Sequence, residues 1–312
     1  ENVGDTISTT DLKYRVISAN AVEVLDEVDS KTTSYTIPST VTGTDGKTYT
    51  VTAIGEYAFR WSNATSVVLP STITEIKDNA FASSSIATIN LPEGLKKIGS
   101  NAFNSCSGIK SIDIPASVDS IGNSAFFGTS WKEDATSLTL HEGLKYIGQS
   151  AFYSQDFTSV EIPSSVEEIA GKAFLFNKKL TKVTIKEGVK KMGDAVFNGC
   201  TLLSDITLPN SLDSVGIELF LNDKALTKIN IPAGLKYIGE SFIAGTSVAD
   251  IELSPDNTTF VKKDGVVYTS DYSILKLAPV SGITDLTVDS RCLGIDGGAF
   301  WSSSIQSIKR PE

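Results

Sequence analysis

Apolar and polar residues recur along this chain with a period of 22 to 26 positions. Each period contains an aliphatic residue, usually followed by glycine, and then Ala-Phe, as in Ile98-Gly99-Ser100-Asn101-Ala102-Phe103. The aliphatic residues that begin this stretch are Ile54, Ile76, Ile98, Ile121, Ile147, Ile169, Met192, Val215 and Ile238, and the stretch returns at Ile295. A period of this length predicts a solenoid whose repeats bury their apolar faces against one another.

Each repeat reads as a strand, a second short extended piece and a compact turn. Residues 109–115 alternate as a strand and residues 118–122 as the shorter piece, which predicts parallel strands that stack from repeat to repeat. Nine of the 14 phenylalanines end the Ala-Phe stretch, so they should stack as a spine in the core. We therefore expect a mainly β solenoid with parallel stacked strands and short helical turns.

The two ends of the chain depart from the repeat. Residues 12–17 and 21–25 alternate apolar and polar positions, which predicts an N-terminal β cap over residues 1–50. Regular repeats should cover residues 51–253. Asp264-Gly265 between two apolar runs predicts a β-hairpin insertion over residues 254–282, and final repeats over residues 283–312 would complete one continuous solenoid domain.

Composition narrows the classes of partner. The formal net charge is −10, which disfavours nucleic acid and anionic lipid, because both require a basic surface. No run of 18 apolar residues occurs, so we expect no transmembrane segment. The first residues also lack the basic and apolar regions of a signal peptide, so we expect that any such signal has been removed.

Residues that could carry catalysis are few. His141 is the only histidine, and alone it makes neither a zinc site nor a hydrolytic triad. Cys106 and Cys200 each lie three residues after a phenylalanine of the repeat, and Cys292 takes an inward aliphatic position. All three should be small buried side chains rather than a disulfide set. The glycines follow the repeat rather than a phosphate-binding loop. We therefore expect no enzyme activity, no cofactor and no catalytic residue.

Outward positions of the main strands are the places where a partner could bind. The candidates among them are the charged residues Glu161, Lys182, Asp205, Lys228 and Asp250. Such residues can satisfy one another across strands or form a polar surface for a protein partner, and both interpretations stay open. Acidic residues on outward strand positions form a patch near the C-terminal end and are weak candidates for a calcium site: Asp250, Glu252, Asp285 and Asp289.

A glycan is the alternative partner, because sugars stack on aromatic faces. Trp61 and Trp131 follow the phenylalanine position and could line one rim.

The pairs of residues that precede each aliphatic position form a separate pattern. Their first members alternate base and acid from Lys96 to Lys236, which predicts ion pairs between successive repeats.

The combined motif is seen in Leu91-Pro92-Glu93-Gly94-Leu95-Lys96-Lys97-Ile98-Gly99, followed by Ala102-Phe103 and Cys106. Over residues 33 to 311 this pattern resembles the BspA-like leucine-rich repeat family. The resemblance implies a leucine-rich-repeat solenoid on the outer surface of, or secreted by, host-associated bacteria or protists. It further implies a noncatalytic adhesion or binding role toward an extracellular protein, such as a host matrix protein. The oligomeric state stays open.

Overall fold

The computed structural model describes residues 1–130 and 137–312, with only the backbone of Ser137. The described chain divides into two compact units, the first comprising residues 1–130 and 139–155 and the second residues 137–138 and 156–312. Across these described ranges, no helix is long and apolar enough to cross a membrane.

All regular elements of the described chain are strands, most of them short. In chain order they are β1 Thr6–Ser8, β2 Leu12–Ser18, β3 Ala21–Glu27, β4 Ser34–Thr36, β5 Thr40–Thr42, β6 Thr48–Ile54, β7 Ser66–Val68, β8 Glu75–Ile76, β9 Thr88–Ile89, β10 Lys97–Ile98, β11 Ser120–Ile121, β12 Ser137–Leu138, β13 Tyr146–Ile147 and β14 Ser159–Ile162. The remainder are β15 Glu168–Ile169, β16 Lys182–Ile185, β17 Lys191–Met192, β18 Asp205–Ile206, β19 Ser214–Val215, β20 Lys228–Ile231, β21 Tyr237–Ile238, β22 Asp250–Leu253, β23 Phe260–Lys263, β24 Val266–Thr269, β25 Ile274–Leu277, β26 Asp285–Thr287, β27 Gly294–Ile295 and β28 Ser307–Lys309.

The first unit begins with the predicted β cap. Strands β1, β2 and β3 pair antiparallel, and β3 then pairs parallel with β6. From β6 a parallel ladder of short strands continues through β8, β10, β11 and β13. A second parallel ladder joins β4, β7 and β9. The N-terminal cap and the parallel stacking are thereby confirmed.

The second unit repeats both kinds of ladder and contains the insertion. Short strands pair parallel from β15 through β17 and β19 to β21, and the main strands from β12 through β14 and β16 to β18. Strands β20 and β22 pair in the same way. The β23–β24 hairpin turns at Asp264 and Gly265, whose φ angles of 51° and 80° fit the positive-φ turn that Asp-Gly favours.

Phenylalanine rings form the core of each unit. In the first unit the rings of Phe59, Phe81, Phe103, Phe126 and Phe152 stack with centroids 5.1–5.5 Å apart and planes within 8° of parallel. In the second unit Phe174, Phe197 and Phe220 stack at 5.7 and 6.0 Å. In this stack a phenylalanine amide donates to the carbonyl of the residue just before the next phenylalanine. The Phe220 amide donates to the carbonyl of Phe242, so Ile243 occupies the phenylalanine position in the next repeat.

The expected short helical turns are not formed in the described residues, and the backbone shows why. Asn101 and Ser105 both have positive φ, 58° and 60°, which interrupts any right-handed helix. The amides of Asn101, Phe103 and Ser105 donate to Asn123, Ala125 and Phe127 of the next repeat at 2.6–2.8 Å. The intervening amides bond within their own turn, so the turns themselves form a ladder between repeats, which a helix could not do.

The positive-φ positions give a stability prediction. Lys172 is exposed and has φ 62°, a conformation that costs an L-residue about 1–2 kcal/mol and costs glycine little. Lys172→Gly should therefore raise the free energy of unfolding by about 0.5–1 kcal/mol after the added chain entropy of glycine is subtracted. Lys178→Gly, at an exposed position without positive φ, should lower it. Urea unfolding measures both, and equal effects of the two changes would contradict the explanation.

Glycine after the aliphatic residue lets successive repeats approach. A Cβ on Gly239 would lie 2.3 Å from the carbonyl carbon and oxygen of Gly216, so no larger residue fits without moving the backbone.

The strand predicted over residues 109–115 is not formed. A cleft of about 470 Å³ lies between β9 and residues 110–113 instead, and this segment makes no ladder with β9.

Candidate functional site

The charged outward residues of the second unit lie on neighbouring strands. We call the outward side of β14, β16, β18, β20 and β22 the strand face. The register places Lys182 beside Asp205 and Lys228 beside Asp250. Glu161 lies on β14, which pairs with β16, the strand that contains Lys182. Their inward neighbours, such as Val183 and Ile229, are buried, so alternation along each strand holds the charged side chains in solvent.

Ion pairs on the strand face are exposed and therefore weak. Lys182 lies 3.7 Å from Asp205, and Lys186 lies 2.8 Å from Glu161. The Asp250 side chain is 70% exposed and lies 3.8 Å from Lys262 of the hairpin insertion. Such pairs stabilise a protein by about 0–1 kcal/mol, so a partner can replace them at little cost.

Asparagines on the outward positions have a role that the sequence pattern missed. The side-chain amide of Asn230 donates to the Leu208 carbonyl at 2.9 Å and accepts from the Leu208 amide at 2.8 Å. Asn90 makes the same two bonds to Leu69 in the first unit. These side chains continue the backbone pairing where the main strands end, and an amide, with both donor and acceptor, is the chemistry this requires.

The acidic residues considered for calcium do not converge. Among the described residues, no group of three or more His, Cys, Asp or Glu side chains is placed to hold a metal ion. Asp250 and Glu252 are exposed on β22, and Asp285 accepts a hydrogen bond from the Ser307 hydroxyl. Each carboxylate therefore has separate surroundings.

Asp289 is buried rather than outward, because its carboxylate joins the hairpin to the final repeats. Arg291 donates from Nε and Nη2 at 2.8 and 3.0 Å, and Lys263 donates from Nζ at 2.7 Å. The Arg291 guanidinium also lies 3.7 Å from the Tyr272 ring centroid. Hydrogen bonds from Arg291 and Lys263 hold the pKa of Asp289 well below its usual range, so its role here is structural.

Trp61 is the exposed aromatic residue of the predicted rim. Its side chain is 67% exposed, and the Arg60 guanidinium lies 4.0 Å from its ring centroid. Phe127 and Tyr153 stack on each other with centroids 4.6 Å apart. Trp131 lies outside the described residues, so the structure places only one of the two tryptophans that the glycan hypothesis names.

The predicted ion pairs between successive repeats are partly formed. Lys236 lies 3.6 Å from Asp213, as the alternation of base and acid predicts. Lys97–Glu75 and Lys191–Glu168, at 3.7 and 3.6 Å, use the second residue of each pair instead. All three cysteines are buried and form no disulfide, as predicted, and the thiols of Cys106 and Cys200 donate to the carbonyls of Phe81 and Phe174.

Comparison with known proteins fits this repeat geometry. A family model described as "BspA type Leucine rich repeat region (6 copies)" matches residues 29–154 and 145–264. The chain belongs to this family. No curated protein matches the sequence.

Solved structures with the same fold are bacterial leucine-rich repeat proteins. One from Bacteroides ovatus has 23% identity and a TM-score of 0.64, with 97% of this chain and 90% of that chain covered. A leucine rich cell surface protein from Faecalibacterium prausnitzii has 22% identity and a TM-score of 0.54, with 98% and 76% covered. The pneumococcal vaccine antigen PcpA has 19% identity and a TM-score of 0.51, with 100% and 89% covered. At these identities the likeness concerns the fold.

Proposed function

We propose that this BspA type repeat protein is a noncatalytic binding or adhesion module that works outside the cell or on its outer surface. The observation that carries the proposal is the strand face, on which Lys182, Asp205 and Asp250 are 58–70% exposed while their strands are anchored by a buried core. The strand face comprises two parallel ladders, β14–β16–β18 and β20–β22, and each presents its charges in fixed register. Such a surface can recognise a protein surface of complementary pattern. The partner we propose is an extracellular protein such as a host matrix protein.

Two features support an extracellular protein as the partner. The family consists of repeat scaffolds, and one protein of the same fold is described as a cell surface protein and another as a vaccine antigen. The ion pairs of the strand face are weak, so binding can exchange them for pairs with the partner without loss of the fold.

The test is a binding assay of the purified chain against a panel of extracellular matrix proteins. Lys182→Glu/Lys228→Glu should weaken binding of the matrix protein that is captured by at least about tenfold, since each reversal places like charges across the interface. Lys31→Glu/Lys110→Glu changes the net charge by the same amount at exposed positions of the first unit and should leave binding unchanged. Equal binding by all three proteins would exclude the strand face.

A glycan is the second candidate, because Trp61 and Tyr57 are both exposed, 67% and 48%, on the same turn. Aromatic faces in solvent are the feature that sugars stack upon. Trp61→Ala in a glycan-panel assay separates the two candidates. Glycan binding that disappears with Trp61→Ala and survives the lysine reversals would replace the first proposal with the second.

A further inference from the structure

The ladder of short strands in the second unit stops at β21. Where β21 pairs with β19, the Lys236 amide donates to the Asp213 carbonyl at 2.9 Å, and the Gly239 amide donates to the Val215 carbonyl at 3.0 Å. If the ladder continued, the next repeat would donate in the same way to the carbonyls of Lys236 and Ile238 and would accept from the Ile238 amide.

The final repeat bonds to the insertion along this stretch instead, and it rejoins the repeat of β21 only at the turn, where the Ser241 amide donates to the Gly297 carbonyl at 3.4 Å. The amides of Leu293 and Asp296 donate to the carbonyls of Ser273 and Leu275, at 2.7 and 2.9 Å, because β25 pairs with β27. Among the described strands, β21 pairs with β19 alone. Two carbonyls, of Lys236 and Ile238, and the Ile238 amide are therefore left at a strand edge with no backbone partner in the described chain.

A cleft of about 580 Å³ lies along this edge. Strand β21 forms one wall, and the residues opposite include Thr259, Phe260, Ile274 and Ile295. The Lys276–Asp296 ion pair, 2.9 Å long and mostly shielded from solvent, lies in the same cleft. The space therefore combines an open hydrogen-bonding edge with apolar walls.

The charges at the edge define what would fit beside it. Lys236 is the last basic member of the alternating pattern, so an aligned residue that continues the pattern is acidic, as Asp213 is on the other side. A Cβ on Gly297 would lie 2.5 Å from the Glu240 carboxylate carbon, so the final repeat already occupies the place beside Glu240 and the open stretch of the edge ends there. Ile238 is inward and favours an aliphatic neighbour.

We propose that the β21 edge binds an extended segment of a partner protein, which adds as a short parallel strand with an acidic residue beside Lys236 and an aliphatic residue beside Ile238. Strand addition to an open edge supplies main-chain hydrogen bonds for affinity and side-chain pockets for specificity. This inference rests on the proposed protein-binding function, but it uses a site separate from the strand face.

The test uses a labelled synthetic peptide, acetyl-Ser-Leu-Asp-Ser-Val-Gly-amide, which copies residues 211–216. Fluorescence anisotropy should show saturable binding. N-methylation of the peptide's glycine amide, which would donate to the Ile238 carbonyl, should weaken binding by at least about tenfold, because a buried acceptor loses its donor. N-methylation of the valine amide, which points away from β21, should have little effect.

Protein variants complete the test. Thr259→Trp fills the cleft and should abolish binding, whereas Thr184→Trp on the exposed side of β16 should not. Lys236→Glu should weaken binding of this peptide and strengthen binding of a peptide with lysine in place of its aspartate, a charge exchange that loss of folding cannot produce. The Lys182→Glu/Lys228→Glu variant should bind the peptide as the parent protein does. Peptide binding at the β21 edge therefore stays a valid result even if the strand-face proposal fails. The inference is overturned by no saturable binding up to about 1 mM, or by equal effects of the two N-methyl groups.

Discussion

Phe103→Ala should lower the free energy of unfolding by about 3–5 kcal/mol. The ring is fully buried, and it stacks between Phe81 and Phe126 with centroids 5.2 and 5.5 Å away and planes within 5° of parallel. Truncation removes its own transfer free energy and leaves a cavity that separates two neighbouring repeats. Because each repeat gains its stability from its neighbours, the loss should spread along the first unit.

Trp61→Ala is the matched control for Phe103→Ala within the first unit. The Trp61 ring is larger, but it is 67% exposed, and the Arg60 guanidinium lies 4.0 Å from its centroid. Its loss should cost less than about 1 kcal/mol. Urea unfolding compares the two variants, and hydrogen exchange shows how many repeats lose protection. A cost for Phe103→Ala as small as that for Trp61→Ala would mean that the stacked rings do not hold the repeats together.

The repeat could be predicted from the sequence because its signal recurs. One Ile-Gly-x-x-Ala-Phe stretch indicates little, but nine aliphatic positions at a nearly constant period leave few alternatives to stacked repeats. The hairpin at Asp264-Gly265 was predictable for another reason, since the dipeptide itself determines the turn. Fold class and cap were therefore readable from local pattern and period.

Side-chain partners were harder to predict, because they depend on the third dimension. Asn230 occupies an outward position, yet its amide bonds back to the Leu208 backbone. Asp289 follows strand β26 and was expected outward, but Lys263 of the hairpin reaches it and Arg291 covers it. A period identifies which face a residue occupies, and it does not identify what an inserted segment brings beside that face.

The open edge at β21 could not be predicted from the sequence either. The return of the repeat at Ile295 suggests that the ladder simply resumes after the insertion. In the structure β25 takes the place of the preceding strand beside β27, so the resumed ladder continues from the insertion and not from β21. Strand pairing of this kind is decided by competition between edges, which the sequence of β27 by itself does not reveal.

Polar residues three positions after each phenylalanine form another ladder, which bears on the second prediction. In the second unit these are Asn177, Cys200, Asp223 and, after Ile243, Thr246, and all four are buried. Three of the four, all except Asp223, donate a hydrogen bond to a turn carbonyl. Asn177 donates to Phe174 at 2.8 Å, Cys200 to Phe174 at 3.3 Å and Thr246 to Ile243 at 2.7 Å. The position thus selects side chains that can donate.

Asp223 is the exception, because an ionised carboxylate only accepts. Both carboxylate oxygens are buried without a hydrogen-bond partner in the described chain. The nearest backbone donors, the amides of Gly199 and Cys200, already donate to the carbonyls of Leu221 and Phe197. Burial raises the pKa of Asp223 well above its usual value, which favours the protonated form that can donate as its neighbours do.

This raised pKa makes stability depend on pH with a definite sign. The unfolded chain loses the Asp223 proton near the ordinary pKa of about 3.9, while the folded chain keeps it to higher pH. Between those two pKa values folding takes up a proton, so the contribution of Asp223 to stability is greatest below the unfolded pKa and falls as pH rises toward the folded pKa.

Asp223→Asn should therefore stabilise the protein at pH 7 by about 1–3 kcal/mol, the cost of a buried polar group without a partner. An amide at this position can donate to the Phe220 carbonyl as Asn177 donates to Phe174, without a proton to lose. Urea unfolding at about pH 5 and pH 8 should show a smaller decline for the variant than for the parent. Asp205→Asn, at a side chain 65% exposed, should change neither value by more than about 0.5 kcal/mol. An unchanged pH dependence in Asp223→Asn would show that the buried carboxyl does not hold its proton, and that the ladder tolerates an acceptor there.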